Sequence, residues 1–575
     1  MEQCSLNSES KRILIAAIRK IALAGITLLA VWLILYALRG TIEAKVIDAL
    51  SLSMHTDSDP GLSYDLSDWT KSWRTGESVY VNISRDLGIT LRNIALIGIV
   101  SLASTGVLLF IGALVSLKTK KRAWLDKLRS ILRLLLVSCG AAIPVFLIGT
   151  IIAFLEIKYQ SFPPHPIPLF WSTFFCSMPL TWMLVQTGHE TLINQTEKSP
   201  RSTRMRHLVF KLLTRILKLI GFIIVIVIFE EQLITYHGLG RQLIDNLQNL
   251  DFPLAVGIIW IFVIILVMTK LAAELSEIVH SYYTRQTVLL EPVAEKPVIK
   301  QVIPQGWLIF CLGLLAFIIL VAVVGPLLTP YATNQIDLLI RLKPPSAGHL
   351  LGTDQLGRDI LSQLLNGIRT DTLTGVACAG AVCLIAGGWA MLVTKFKKMN
   401  NWLGDSLEDI VLLPKDIVCS LPWLVLLLFM VTLMRIYFFG GAILNSAFYI
   451  AFIAGLVILP RAVGMIQKTC HYMAEGNNYA QRTLRSMPIV FVFTAAGVVI
   501  YISAMSYLGF GVSPVIPELG QMLGTPVEYL VITLWLILGP AICLTLILTV
   551  WVITGEALLE RLGFRSRAIW SKTME

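Results

Sequence analysis

The sequence predicts an all-α, polytopic membrane protein with about 12 transmembrane helices, and three observations carry that prediction. Of 575 residues, 56% are hydrophobic and only 14% charged, and a soluble globule of this length has too little interior to hide so much apolar surface. Apolar runs of about 20 residues, the length that crosses a ~30 Å hydrocarbon core as a helix, recur along the chain. The net charge of +11 comes from short basic clusters between those runs, without interleaved stacking aromatics. That pattern fits membrane topology and excludes a nucleic-acid surface.

Hydropathy places the helices near 14–38, 88–117, 130–156, 167–187, 213–232, 253–275, 306–328, 371–395, 409–435, 441–463, 486–507 and 528–554. The first could be a signal anchor or a cleaved signal peptide. Its long apolar region and the poor small-residue cleavage site at Tyr36-Ala37-Leu38-Arg39 favour the anchor. Lys11, Arg12, Arg19 and Lys20 share a side with two basic loops, one holding Lys118, Lys120, Lys121, Arg122, Lys127 and Arg129, the other Lys198, Arg201, Arg204, Arg206 and Lys211. The opposite segment, 39–86, carries Asp48, Asp57, Asp59, Asp65, Asp68, Glu77 and Asp86. Positive-inside bias then puts both termini in the cytoplasm and 39–86 outside.

A charged stretch with Pro292, Pro297 and Pro304 separates two apolar parts, giving a first half at 1–285, a cytoplasmic linker at 286–305 and a second half at 306–575. Any chain of twelve helices divides into sixes, so the division alone shows little. More telling is that each half follows its fifth helix with a glycine-rich turn, Gly238-Leu239-Gly240-Arg241 in the first and Leu508-Gly509-Phe510-Gly511 in the second. Those matched turns favour a duplication in outline.

Three ordered motifs go further. The first runs from Glu230-Glu231 through Gly238-Leu239-Gly240-Arg241-Gln242-Leu243-Ile244-Asp245 to Asp251-Phe252-Pro253. The second is His349-Leu350-Leu351-Gly352-Thr353-Asp354-Gln355-Leu356-Gly357-Arg358-Asp359, continuing to Leu365-Asn366-Gly367-Ile368-Arg369-Thr370. The third is Ser506-Tyr507-Leu508-Gly509-Phe510-Gly511-Val512 with Pro514, Pro517 and Glu518-Leu519-Gly520-Gln521-Met522-Leu523. The first resembles one permease subunit of the dipeptide, oligopeptide and nickel ABC importers, and the other two resemble the second subunit. His237 stands where that family has proline, and Leu519 where it has tryptophan. The resemblance implies two six-helix ABC-importer permease halves fused in one chain, with Gly238, Gly240, Arg241, Asp245, Gly352, Thr353, Asp354, Gly357, Arg358, Asp359, Gly509 and Gly511 as outer-face residues.

Local chemistry supports structural roles for these residues. The glycines suit turns with positive φ, and Arg241 and Asp245 can pair four apart on a helix face. Thr353, Asp354 and Asp359 favour helix starts, so 349–359 reads as an amphipathic segment bracing the outer entrance, with Asp354 and Arg358 in contact. No nucleophile or metal ligand accompanies the acids, so no catalytic residue and no enzyme activity is expected. The nine cysteines are scattered without CxxC spacing and the eight histidines form no cluster, so no metal site is expected either.

The chain has no Gly-Lys dipeptide and hence no Walker A loop. It carries no cofactor of its own; the family resemblance implies ATP on separate ABC ATPase subunits, cargo from an extracytoplasmic binding protein, and membrane lipid as surroundings. In that family an E-A-A, three residues, G helix between the fourth and fifth membrane helices grips the ATPase. Residues 188–207 lack the pattern, and 467–488 keep only the Tyr479-Ala480 echo. Glu197, Arg201, Arg204, Glu475 and Arg482 are the candidate ATPase contacts, with attraction of the basic residues to anionic headgroups as the competing explanation. Glu230, Glu231, Glu274 and Arg435 fall near helix ends, where they are expected to reach the interface and leave an uncharged core. That suits a conduit for peptides, or less well nickel, in the cytoplasmic membrane. The alternatives are a degenerate permease serving as scaffold or sensor, and a secondary transporter.

Overall fold

The computed structural model describes residues 68–118, 201–233, 237–288, 305–397, 421–437, 447–472, 479–511, 516–524 and 535–561 without a break, together with most of 17–45 and 173–194 and single residues at 414–418 and 533. Among the described residues the regular structure is helical, apart from two isolated antiparallel bridges, Lys71 with Ser78 and Thr353 with Asp359. The helices are α1 (Lys20–Glu43), α2 (Val79–Lys118), α3 (Met178–Asn194), α4 (Arg201–Lys218), α5 (Ile220–Leu233), α6 (Leu239–Gln248) and α7 (Phe252–Val288). They continue as α8 (Gln305–Val324), α9 (Ile360–Lys397), α10 (Trp423–Tyr437), α11 (Ala447–Tyr472), α12 (Tyr479–Tyr507), α13 (Leu519–Leu523) and α14 (Trp535–Arg561).

Within α1, α2, α7, α8, α9, α11, α12 and α14 lie eight segments long and apolar enough to cross a membrane. The pair α4 and α5 makes a ninth if it is a single span, bent by 59°. The bend falls at Leu219, whose N–H is shared between the carbonyls of Arg215 and Ile216, 3.1 and 2.9 Å away. Gly221, two residues on, lets the turn approach Leu266, whose Cδ1 would stand 3.1 Å from a Cβ at that position. The expected helix at 130–156 lies outside the described residues.

Two helices run well past the limits that hydropathy sets. α2 has 40 residues and α9 has 38, about twice what a bilayer core needs. Their extra turns are polar at the start, with Asn82, Arg85 and Asp86 in α2 and Ser362, Gln363 and Asn366 in α9. A helix whose ends are satisfied by caps needs no apolar composition to continue, so hydropathy does not see these turns.

The arrangement of the first seven helices recurs in the last seven. α2 packs against α3, α5, α6 and α7; α9 packs against α11, α12, α13 and α14. The short α6 is held between α5 and α7, and the short α13 between α12 and α14. Both long helices also begin the same way. A loop closed by one antiparallel bridge and turned by a positive-φ glycine leads in, with Gly76 before Ser78-Val79 and Gly357 before Asp359-Ile360. α12 is the most enclosed span, whereas α1 and α8 lie at the periphery. Ile309, Phe310, Phe317, Leu320 and Val323 of α8 are accordingly exposed, as lipid-facing side chains are.

The repeated close approach depends on glycine. A Cβ at Gly240 would stand 2.8 Å from Ile228 Cα, and one at Gly520 would stand 2.5 Å from Ser503 Cα. Gly520→Ala is therefore expected to cost about 1–3 kcal/mol of overpacking and to lower the thermal midpoint in detergent. Gly464→Ala, in α11 with open space around its Cβ, is the control and should hold that midpoint or raise it slightly, because alanine is the better helix former.

Candidate functional site

At one end of the bundle the short helices, the glycine turns and the bridge-closed loops gather around a layer of buried acids. In the first half Glu231, fully buried in the last turn of α5, accepts from Gly240 N at 2.7 Å, Thr90 Oγ1 at 2.8 Å and Asn93 Nδ2 at 3.4 Å. Thr90 Oγ1 in turn accepts from Leu239 N at 2.8 Å. The first N–H groups of α6, which have no intrahelical partner, are thus satisfied by α5 and α2. Gly238, the N-cap, has extended backbone with φ −106° and ψ 176°, and a Cβ there would collide with the Glu231 carboxylate.

The second half solves the same problem with different side chains. Leu519 N, at the start of α13, donates to Asp371 Oδ2 of α9 at 3.2 Å. Ser506 Oγ of α12 donates to Glu518 Oε2. Asp371 and Glu518 are both fully buried. Near them, Arg435 of α10 donates to Gly511 O at 3.4 Å and sits 5.6 Å over the Phe510 ring.

The two halves meet at these turns. Gln248 Nε2, at the end of α6, donates to Leu508 O at 3.0 Å, and the rings of Phe229 and Tyr507 are 6.2 Å apart. α10 packs against both α5 and α6. The bridge-closed loop of the first half joins the same layer through Asp251, which accepts from Ser72 Oγ and, at 3.1 Å, from Trp73 N. Outside the spans, Asp68 opens that loop, and hydrogen bonds from Thr70 hold its carboxyl down to about 2.

The loop preceding α9 is a clasp and not the helix that its sequence suggests. α9 starts only at Ile360, with Asp359 as its cap: Oδ2 accepts from Ser362 N and Ser362 Oγ, each at 2.8 Å. Asp359 Oδ1 lies 3.0 Å from His349 Nδ1. Asp354 takes Leu356 N and Arg358 N on Oδ1, and Arg358 Nε and Gln363 Nε2 on Oδ2, all within 2.9 Å. Thr353 Oγ1 donates to Ile340 O and accepts from Lys343 N at 2.9 Å. Two positive-φ glycines intervene within six residues, Gly352 and Gly357, which no helical segment accommodates.

Several other expectations change. Arg241 and Asp245 do pair, at 3.8 Å. Of the outer-face glycines of the two five-helix turns, Gly509 has positive φ (82°), whereas Gly238, Gly240 and Gly511 do not. Gly511 serves by size, because a Cβ would stand 2.8 Å from Ser506 Cα. The core is not free of acidic residues. Glu230 and Glu231 are buried inside the protein instead of reaching the interface, and Asp371, Glu518 and Glu556 are buried with them. Helix-end position alone does not expose a carboxylate when another helix begins against it. Asp371 and Glu518 went unassigned by sequence, although an acid within or beside an apolar run is the general signal for such a site.

The candidate ATPase contacts are only partly visible. Glu197 and Glu475 lie outside the described residues. Arg201 and Arg204 occupy the first turn of α4, and Arg482 stands half-buried in the first turn of α12. Among the described residues, no three His, Cys, Asp or Glu side chains stand close enough to hold a metal ion.

Residues 307–345 match the model of the N-terminal transmembrane domain of oligopeptide transport permease C. The di/tripeptide transport system permease protein DppC of Pseudomonas aeruginosa is 29% identical over 258 residues, 41% of this chain and 81% of that protein. This chain is a permease of the dipeptide, oligopeptide and nickel ABC-importer family. The probable D,D-dipeptide permease DdpC of Escherichia coli is 27% identical over 40% of the permease and 79% of its own length. The nickel permease NikC of the same organism is 27% identical over 38% and 79%. The acids in the buried layer of this permease meet backbone N–H groups and hydroxyls.

The layer makes a graded prediction. Glu231→Ala leaves Gly240 N and Thr90 bare, at about 1–3 kcal/mol for each buried donor left unmatched. Glu231→Gln keeps one acceptor oxygen and should lose less. Thermal unfolding of the purified permease in detergent should rank wild type, Gln and Ala in that descending order.

Proposed function

We infer that the chain is a natural fusion of two permease halves, 1–285 and 306–575 joined through 286–305, that forms the whole translocation pathway of an ABC importer. The observation that carries this reading is the repeat of device: a bridge-closed loop, a long helix, and a short helix seated by glycine on its neighbour occur once in each half. The pathway runs between the halves, where Gln248 meets Leu508 and α10 meets α5 and α6. Alternating access is then a rocking of one half against the other about this join, as in transporters built of repeats.

Peptides are the favoured cargo. The relatives are named for dipeptide, D,D-dipeptide and nickel transport, and a selective nickel path would call for soft or imidazole ligands in a cluster. The eight histidines include the pair His207 of α4 and His280 of α7, 3.2 Å apart. The basic loops put both termini in the cytoplasm of a multi-pass inner-membrane protein. ATP is hydrolysed by separate ATPase subunits that dock beside the starts of α4 and α12, near Arg201, Arg204 and Arg482, with Glu197 and Glu475 as further candidate contacts from the sequence. An external binding protein delivers the peptide at the opposite face.

Affinity purification of the tagged permease is expected to recover an ABC ATPase. Reconstituted in liposomes, that complex should hydrolyse ATP faster when the external binding protein is added. Purification without any ATPase, from cells that express one, contradicts the reading.

A further inference from the structure

The clasp at 349–359 does more than start α9. It grips a separate strand of chain, 337–343. Asp337 N donates to Leu356 O at 3.1 Å, Leu342 N to Asp354 O at 3.0 Å, and Thr353 N to Lys343 O at 3.0 Å. Thr353 Oγ1 adds its bonds to Ile340 O and Lys343 N. Gly357 lies so close to the Asp337 carbonyl that any Cβ would overlap it. Between these grips, Leu338–Ile340 form a single 3-10 turn capped by Asp337, whose Oδ1 accepts from Leu339 N at 3.0 Å.

What the grip displays is apolar. Leu338 is 66% and Leu339 92% exposed, and Leu327, Leu328, Ile336 and Leu350 on the same excursion are exposed as well. A flexible loop would fold such side chains under itself; here the six hydrogen bonds just named prevent it. A rigid, outward-pointing leucine pair marks a surface that something covers.

We propose that Leu338 and Leu339 form a wedge that inserts into the outer leaflet of the membrane beside α8. The excursion continues directly from the lipid-facing side of α8, where Ile309, Phe310, Phe317, Leu320 and Val323 pass into Leu327 and Leu328 at its end. α8 packs against α9 and α14 and leaves most of its surface uncovered, so the wedge belongs to the lipid-facing periphery. Exposed Arg341 and Lys343 follow the leucines and suit the anionic headgroup layer. A delivery protein would instead dock where the halves meet, at α5, α6, α10 and the 507–510 turn. The wedge rests on the reading of α8 as a span, with its C-terminal end at the outer face. It gives α8 a second anchor, so that the clasp fixes the depth of the peripheral helix while the halves rock.

The test uses full-length permease in liposomes of phosphatidylethanolamine and phosphatidylglycerol. A nitroxide is attached at Leu339→Cys and, separately, at Ala347→Cys, an exposed position of the same excursion; unlabelled-site background comes from the parent protein. The label at 339 should lose accessibility to a water-soluble nickel chelate and gain it to oxygen, while the label at 347 stays open to the chelate. Thr353→Val, which removes the hydroxyl grip, should return 339 toward the chelate. Equal chelate access at both positions overturns the wedge. So does access at 339 that closes only when the external binding protein is added, which would make the leucines a protein contact. ATP hydrolysis in the same liposomes reports separately on the importer reading, so one can fail without the other.

Discussion

Inside a membrane every backbone N–H must find a partner within the protein, and the place where that demand is hardest to meet is the start of a short helix between two long ones. The permease meets it twice. α6 donates its first N–H groups to Glu231 and Thr90, and α13 donates Leu519 N to Asp371. Each solution requires the short helix to lie on its neighbour with no side chain between them, which Gly240 and Gly520 allow. The rest of the motif-bearing end follows: α7 and α14 can return only from short helices fixed in this way, and the turns at 507–510 and 238–251 come together because both are held.

Among the described residues, the first seven helices touch the last seven at the glycine turns and where α10 packs on α5 and α6. Gln248 to Leu508 and the Phe229 to Tyr507 ring contact stand beside the buried carboxylate networks on either side. Under the proposed reading, a rocking motion needs rigid halves and an interface between them that can repack. On the same reading the peripheral clasp lies outside this join, so its leucines stay at one depth while the join changes.

Fold class was legible from composition and run length alone, because apolar spans leave a signal that no local detail erases. Motif position was legible too: Asp354 pairs with Arg358, Asp359 caps α9, and Arg241 pairs with Asp245. The roles were harder. The run 349–359 has helix-forming spacing, but Gly352 and Gly357 with positive φ turn it into a clasp on residues 337–343, partners that local pattern does not reveal because tertiary contact chooses them. The carboxylates at 230 and 231 look interfacial by sequence because nothing local says that α6 will start against them. The bridge-closed loop before α2 shares few letters with its counterpart before α9, so that part of the repeat appears only in three dimensions.

The proposed fusion of two self-contained halves is tested most directly by cutting the chain between them. A protease site placed within 289–304 of the full-length permease allows cleavage after assembly in the membrane. Two independently fastened halves predict fragments that co-elute in mild detergent and keep ATP hydrolysis stimulated by the binding protein. Fragments that lose their helices or aggregate on cleavage would show a single body that depends on its covalent continuity, and would contradict the account.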